Sequence, residues 1–192
     1  QVQITPQVAG TVVAIAADDG MRVEQGQLLV QLDPADTEVA LQQAEANLAR
    51  TVRQVRGLYR TAEGAQADLN ARQVTLRRVR EDFARRRDLA ASGAISNEEL
   101  AHARDELAAA EAAVAGSRET VERSRALVDD TVVATQPDVK AAAAQLRQAW
   151  LNNARAGIVT PVAGYVARRS VQVGQRVQPG TALMAVVPAE QM

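Results

Sequence analysis

The residues with chemical potential are few and scattered. His102 is the only histidine. Glu98 and Glu106 lie four residues to either side of it, the spacing of a weak metal site on one helix face. A solvated helix face is by far the better account of the same three residues. Asp18-Asp19 and Asp129-Asp130 are adjacent carboxylates, but neighbouring side chains diverge in strands and helices, so neither pair converges for acid–base work. The chain has no cysteine, which excludes disulfides and thiolate ligands. The glycine-rich turns match neither the phosphate-binding loop nor the dinucleotide fingerprint. No catalytic constellation, cofactor site or metal centre emerges. The remaining candidates are Arg85, Leu89 and Ser96, spaced R-x3-L-x6-S around Arg85-Arg86-Arg87-Asp88-Leu89-Ala90-Ala91-Ser92-Gly93-Ala94-Ile95-Ser96. Their types suit recognition of a partner. Arginine offers a forked donor, leucine an apolar contact and serine a hydrogen bond.

The chain around this stretch predicts a hairpin. Leu41, Leu48, Val55, Ala62, Leu69, Leu76, Phe83 and Ala90 recur every seven residues. Ala44, Leu58, Ala65 and Val79 follow three residues on, interrupted by Thr51, Arg72 and Arg86, which is a coiled-coil seam. Asp33 and Pro34 suit the N-cap and first helical position. Leu100, Leu107, Val114, Val121 and Val128 form a second series. It continues less regularly through Val132, Thr135, Val139, Ala142, Leu146 and Ala149, with a kink or short break expected at Pro137 near Thr135-Gln136. Gly93 supplies a permissive turn, and Ser96 with Glu99 reads as a capping box. Helical spacing from 34 to 154 is centred on residue 94, so two arms of about 90 Å run antiparallel. Residues 50–87 hold eleven arginines against four acids, and residues 97–130 hold nine acids against four arginines. That contrast favours pairing of the arms, although each exposed pair contributes only about 0–1 kcal/mol. Gly93 and Ser96 are explained by the turn itself; Arg85 and Leu89 are not.

The two ends of the chain repeat each other. Val8–Pro34 and Val162–Pro188 align without a gap at an offset of 154, with 10 of 27 positions identical. The identities include Gly10/Gly164, Val12/Val166, Gly20/Gly174, Val23/Val177, Gly26/Gly180, Leu29/Leu183 and Pro34/Pro188. Each half reads as short strands, with Gly10, Gly20 and Gly26 where the chain reverses. Leu28-Leu29-Val30-Gln31-Leu32 shows the partial alternation of a half-buried strand. A unit of 27 residues is too small to bury a core alone, so the halves are expected to close one sandwich together.

These features carry a resemblance. Gly20-Met21-Arg22-Val23-Glu24-Gln25-Gly26 and Gly174-Gln175-Arg176-Val177-Gln178-Pro179-Gly180 resemble the G-x-x-V-x-x-G turns of the lipoyl, or biotinyl-carrier, fold. A carrier of that fold holds its cofactor on a lysine between the halves. Here one of the 22 basic residues is a lysine, Lys140, and it falls in a helical stretch. No cofactor is therefore expected. A split lipoyl domain with an inserted hairpin looks like the periplasmic adaptors, or membrane fusion proteins, of tripartite export pumps (the HlyD/EmrA family). Members carry R-x3-L-x6-S at the hairpin tip, matched by Arg85, Leu89 and Ser96. Ile95-Ser96-Asn97-Glu98-Glu99-Leu100-Ala101-His102-Ala103-Arg104-Asp105, Gln136-Pro137-Asp138-Val139 and Leu183-Met184-Ala185-Val186-Val187-Pro188-Ala189 resemble the EmrA type in particular.

The resemblance implies an α+β fold: a long antiparallel α-helical coiled-coil hairpin inserted between two halves of a lipoyl β-sandwich. The expected divisions are 1–33, 34–156 with its tip at about 91–96, and 157–190. It implies a non-enzymatic adaptor of a multidrug efflux pump. The adaptor would link an inner-membrane major-facilitator transporter to a TolC-like outer-membrane channel through Arg85, Leu89 and Ser96. Self-association into a ring or tube and a periplasmic, inner-membrane-anchored location go with it. The alternative is an adaptor of a type I, ABC-transporter, protein secretion system. The chain reads as a fragment of something longer, without the family's membrane helix and β-barrel.

Composition bears on the rest. The chain is 47% hydrophobic but 2% aromatic, with a net charge of −1. Alanine supplies much of the apolar share and favours long, closely packed helices. The run Arg77-Arg78-Val79-Arg80 with Arg85-Arg86-Arg87 could meet phosphates. The acidic second arm and the scarcity of aromatics and lysine speak against nucleic acid. A cytosolic coiled-coil scaffold leaves the repeated ends unexplained.

Overall fold

The structure, a computed structural model, describes residues 1–189. Residue 190, the expected end of the second half-motif, lies outside the described residues. The chain divides into two compact units, residues 1–49 with 141–192 and residues 50–140. Both divisions fall within helices. The elements are a long helical hairpin region and two β-sheets.

Among the described residues the first unit holds eight strands: β1 (Val2–Ile4), β2 (Gly10–Ile15), β3 (Arg22–Val23), β4 (Leu28–Leu32), β5 (Gly157–Val159), β6 (Gly164–Arg169), β7 (Arg176–Val177) and β8 (Met184–Pro188). They form two four-stranded sheets, ordered β1-β8-β6-β3 and β5-β4-β2-β7. Each sheet takes two strands from either end of the chain. The internal repeat is obeyed atom by atom. Val12 N–H donates to Gln175 O at 2.9 Å, and its counterpart Val166 N–H donates to Met21 O at 2.9 Å. Gly174 N–H reaches Val12 O at 2.8 Å, and Gly20 N–H reaches Val166 O at 2.7 Å. Even the register shifts match, one between Val12 and Ala14 and the other between Val166 and Arg168.

The identities of the repeat supply the core. Val12, Val166, Val23, Val177, Leu29 and Leu183 are all buried to 1% exposure or less. Each such side chain contributes about 1.5–3 kcal/mol. The Arg169–Asp18 ion pair, at 2.9 Å and with Asp18 exposed, belongs to a class worth about 0–1 kcal/mol. Apolar pairing across the repeat therefore holds this unit together.

Two local expectations change. Gly10 does not reverse the chain; it opens β2. Its counterpart Gly164 shows why glycine recurs there. A Cβ at Gly164 would lie 2.1 Å from Val187 O, so two backbones meet where a side chain would stand. Strand β4 does not alternate either, because Leu29 and Val30 are both buried. A register irregularity against β5 between Leu28 and Val30 turns successive side chains inward.

Helix α1 (Ala35–Ala91) has 57 residues, about 85 Å at 1.5 Å per residue. Asp33 caps it, its carboxylate accepting from Ala35 N–H at 3.0 Å. Helix α2 runs Asn97–Ala126 and α3 runs Pro137–Ala154. In the first unit, Thr37 Oγ1 donates to Asn153 Oδ1 at 3.0 Å, and Asn47 Nδ2 to Gln145 Oε1 at 3.3 Å. The starts of α1 and the end of α3 are thereby joined antiparallel.

In the second unit all seven-spaced positions of α1 from Val55 to Ala90 are buried or half-buried, as are Leu100, Leu107, Val114, Val121 and Val128. Leu69, Val114 and Val121 form its apolar cluster, flanked by Ala65 and Leu76. Gln66–Arg125 at 2.8 Å and Arg80–Glu111 at 3.9 Å bridge the arms. The two pairs lie 14 residues apart on both arms, in opposite directions, so the arms are antiparallel without a slip. Other ion pairs, Arg60–Glu63, Arg72–Asp68 and Arg86–Asp82, run along α1 itself. Charge contrast between the arms thus acts less through direct contact than the sequence suggests.

The break in the return arm differs from expectation. Ten residues, 127–136, separate α2 from α3, and the interval holds a turn and a 3-10 segment, Val133–Thr135. Pro137 does not interrupt a helix; it opens α3, where its missing N–H costs nothing. The buried Gln136 side chain accepts from Asp138 N–H at 2.7 Å. Asp130 stands at φ +60°, the one non-glycine residue with positive φ among those described. Val132 and Thr135 consequently leave the seam, Val132 being 62% exposed. No helix of the described residues is long and apolar enough to cross a membrane.

Candidate docking site at the hairpin turn

Residues 92–96 connect α1 to α2. Helix α1 ends in a Schellman motif. Ala94 N–H donates to Leu89 O at 2.9 Å and Gly93 N–H to Ala90 O at 3.1 Å, with Gly93 at φ +79°. Ser92 Oγ donates to Leu89 O as well, at 2.9 Å. Helix α2 starts at once, because Ser96 Oγ accepts from Glu99 N–H at 3.1 Å. That bond is the Ser96 half of a capping box. Ile95 and Leu100, both half-buried, occupy the positions of a hydrophobic staple across the cap. The turn is therefore a closed, doubly capped structure and not a slack loop.

Arg85, Leu89 and Ser96 are all exposed on it. Arg85 and Leu89, four apart, share one face of the last turns of α1. Leu89 is 40% exposed although its carbonyl is held twice, so the backbone is fixed while the side chain is presented. Ser96 uses a lone pair for the cap and keeps its hydroxyl proton for an external acceptor.

The sequence did not reveal Asp82. Its carboxylate takes an ion pair from Arg85 through Nη2 and a second from Arg86 Nε at 3.0 Å. Asp82 is 26% exposed at its side chain and Arg85 68%. Exposed pairs of this kind contribute about 0–1 kcal/mol. An external carboxylate or carbonyl can therefore displace Asp82 at small cost, or use the donors of the Arg85 fork that Asp82 leaves free. The i,i+3 and i,i+4 spacing of Asp82 to Arg85 and Arg86 was the available signal.

Of the other candidates, Glu106 lines one groove with Asp82, Arg85 and Arg86. His102, Glu98 and Glu106 are exposed on α2, and no group of three or more His, Asp or Glu residues among those described is placed to hold a metal ion. Asp18 and Asp19 both serve Arg169, Asp18 by the ion pair and Asp19 by accepting the Arg169 N–H at 2.6 Å. Asp130 shapes the break in the return arm, and Lys140 is exposed on α3.

Comparison with known proteins bears on the hairpin that carries this turn. The family model for the EMRA alpha-helical hairpin domain matches residues 35–156. The multidrug export protein EmrA of Haemophilus influenzae is 41% identical over 192 residues, all of this chain and 49% of that protein. The fatty acid resistance protein FarA of Neisseria gonorrhoeae is 43% identical over 188 residues, 97% of this chain and 48% of that protein. The chain thus spans about half the length of these relatives. Among solved structures, that of the periplasmic adaptor protein EmrA superposes with a TM-score of 0.52. It covers 97% of this chain and 71% of the other at 16% identity, which speaks to the fold alone. By its hairpin and by these identities, the chain belongs to the EmrA-like membrane fusion protein family.

Proposed function

We propose that this chain is the hairpin-bearing part of a periplasmic adaptor in a tripartite multidrug efflux pump. In this reading the two half-motifs, 1–33 and 157–190, each lend strands to both sheets of one lipoyl-like sandwich, and residues 34–156 are its inserted hairpin. The full-length adaptor is anchored in the inner membrane, partners a major-facilitator transporter, and self-associates around the export path. The hairpin turn docks on a TolC-like outer-membrane channel. Arg85 donates to acidic or carbonyl groups of the channel, Leu89 buries apolar area against a helix, and Ser96 adds a hydrogen bond while capping α2.

The observation that carries the reading is the presentation of Arg85, Leu89 and Ser96, all exposed, on a rigidly capped turn of an EmrA-family hairpin. Relatives named for multidrug export and fatty acid resistance support an export pump over polypeptide secretion. The test is Arg85→Asp with Leu89→Ser in the full-length protein. Export in cells is lost while helicity by circular dichroism stays unchanged. Full export by that variant rejects the docking role of the turn.

A further inference from the structure

Both arms of the hairpin are weakened at one level. On the return arm, helix stops at Ala126 and resumes at Pro137. Opposite it, α1 stays helical but carries Gly57 and Gly64, spaced seven apart on one face. Glycine weakens a helix interior, because the unfolded chain it leaves is freer than that of any other residue. Neither position needs it. A Cβ at Gly57 or Gly64 would meet nothing within 4 Å, and neither has positive φ. Between them Thr61 Oγ1 donates to Gly57 O at 2.9 Å, a back-bond that loosens and bends helices.

The two weak segments face each other. Tyr59 OH and Thr131 Oγ1 share a hydrogen bond at 2.7 Å. A groove of about 400 Å³ lies among Arg56, Tyr59, Arg60, Glu63, Val132 and Val133. A second, of about 550 Å³, touches Ala62, Gln66, Val128 and Asp130. Tight packing resumes at the Leu69–Val114–Val121 cluster. Helix α2 offers an instructive contrast, since Thr120 Oγ1 also bonds Gly116 O, at 3.2 Å. There the opposite arm is an unbroken helix, and Val114 and Val121 on either side are packed against Leu69.

We infer that residues 57–64 of α1 and residues 127–136 of the return arm form a single flexible joint, latched by Tyr59 and Thr131. The segment carrying the turn pivots there. One helix bends at its glycines while the non-helical stretch opposite changes length without breaking a helical ladder.

Amide hydrogen exchange on the intact chain tests the joint. Amides of 57–66 exchange at least about tenfold faster than those of 72–83 in the same helix, and Gly57→Ala with Gly64→Ala removes most of that difference. Uniform protection along α1, or a difference that survives both substitutions, overturns the inference. Tyr59→Phe supplies a second, independent reading. It raises exchange at 57–66 and at 128–136 together, whereas a rise on one side alone means two separate frayed segments and rejects a single joint.

Discussion

The Ser117 hydroxyl donates to the Asp68 carboxylate at 2.9 Å across the two arms, and Arg72 Nε donates to the same oxygen at 3.2 Å. Ser117 is 6% exposed and occupies a seam position, while Asp68 sits on the neighbouring surface. The Ser117 bond first, and Arg72 second, hold the Asp68 carboxyl below the usual carboxylate range. A carboxyl depressed in the folded state stabilises the fold at pH values above the ordinary range. That contribution is lost as pH falls through the depressed value. In Ser117→Ala the Asp68 carboxyl returns towards the ordinary range, read by NMR titration. The stability lost on acidification below the ordinary carboxylate range then becomes smaller, because the window between the folded and unfolded values narrows. A titration of Asp68 indifferent to Ser117→Ala contradicts this.

Gly10 and Gly164 are equivalent in the repeat but not in surroundings. An added Cβ meets Leu32 Cβ at 3.3 Å at the first position and Val187 O at 2.1 Å at the second. A side chain yields a few tenths of an ångström; a paired backbone does not. Gly164→Ala therefore costs about 3 kcal/mol, the upper end of overpacking, and Gly10→Ala about 1 kcal/mol. Urea denaturation of the two variants reads the difference, and equal losses refute the argument.

Much of the fold was legible because the repeat keeps residues of one function in register. Val12/Val166, Val23/Val177 and Leu29/Leu183 could be recognised as a shared core before any strand was placed. Which strands pair was not legible, since β3 and β7 have two residues each and carry no periodicity. The break in the return arm was hidden as well. Val128 keeps the seven-residue series although its helix has already ended, and Pro137 drew attention to the wrong end of the interval. At the turn, Arg85, Leu89 and Ser96 stood out by spacing. Asp82 passed as one acid among arginines until its two ion pairs were seen.

Asp130 decides the path of that break. Its φ of +60° is tolerable for Asp or Asn and costly for a β-branched residue. Asp130→Asn leaves the thermal midpoint nearly unchanged, whereas Asp130→Val lowers stability by about 1–2 kcal/mol. Equal midpoints for the two variants contradict a left-handed requirement at this position.

Docking of the turn is tested most directly by site-specific photo-crosslinking in cells, with a benzophenone amino acid placed at Leu89 of the full-length protein. The same probe at Val39, an exposed position of α1 in the other unit, is the control. The account predicts a covalent adduct with an outer-membrane channel from position 89, lost on adding Arg85→Asp, and none from position 39. Absence of a channel adduct at position 89, or an equal yield from both positions, contradicts it.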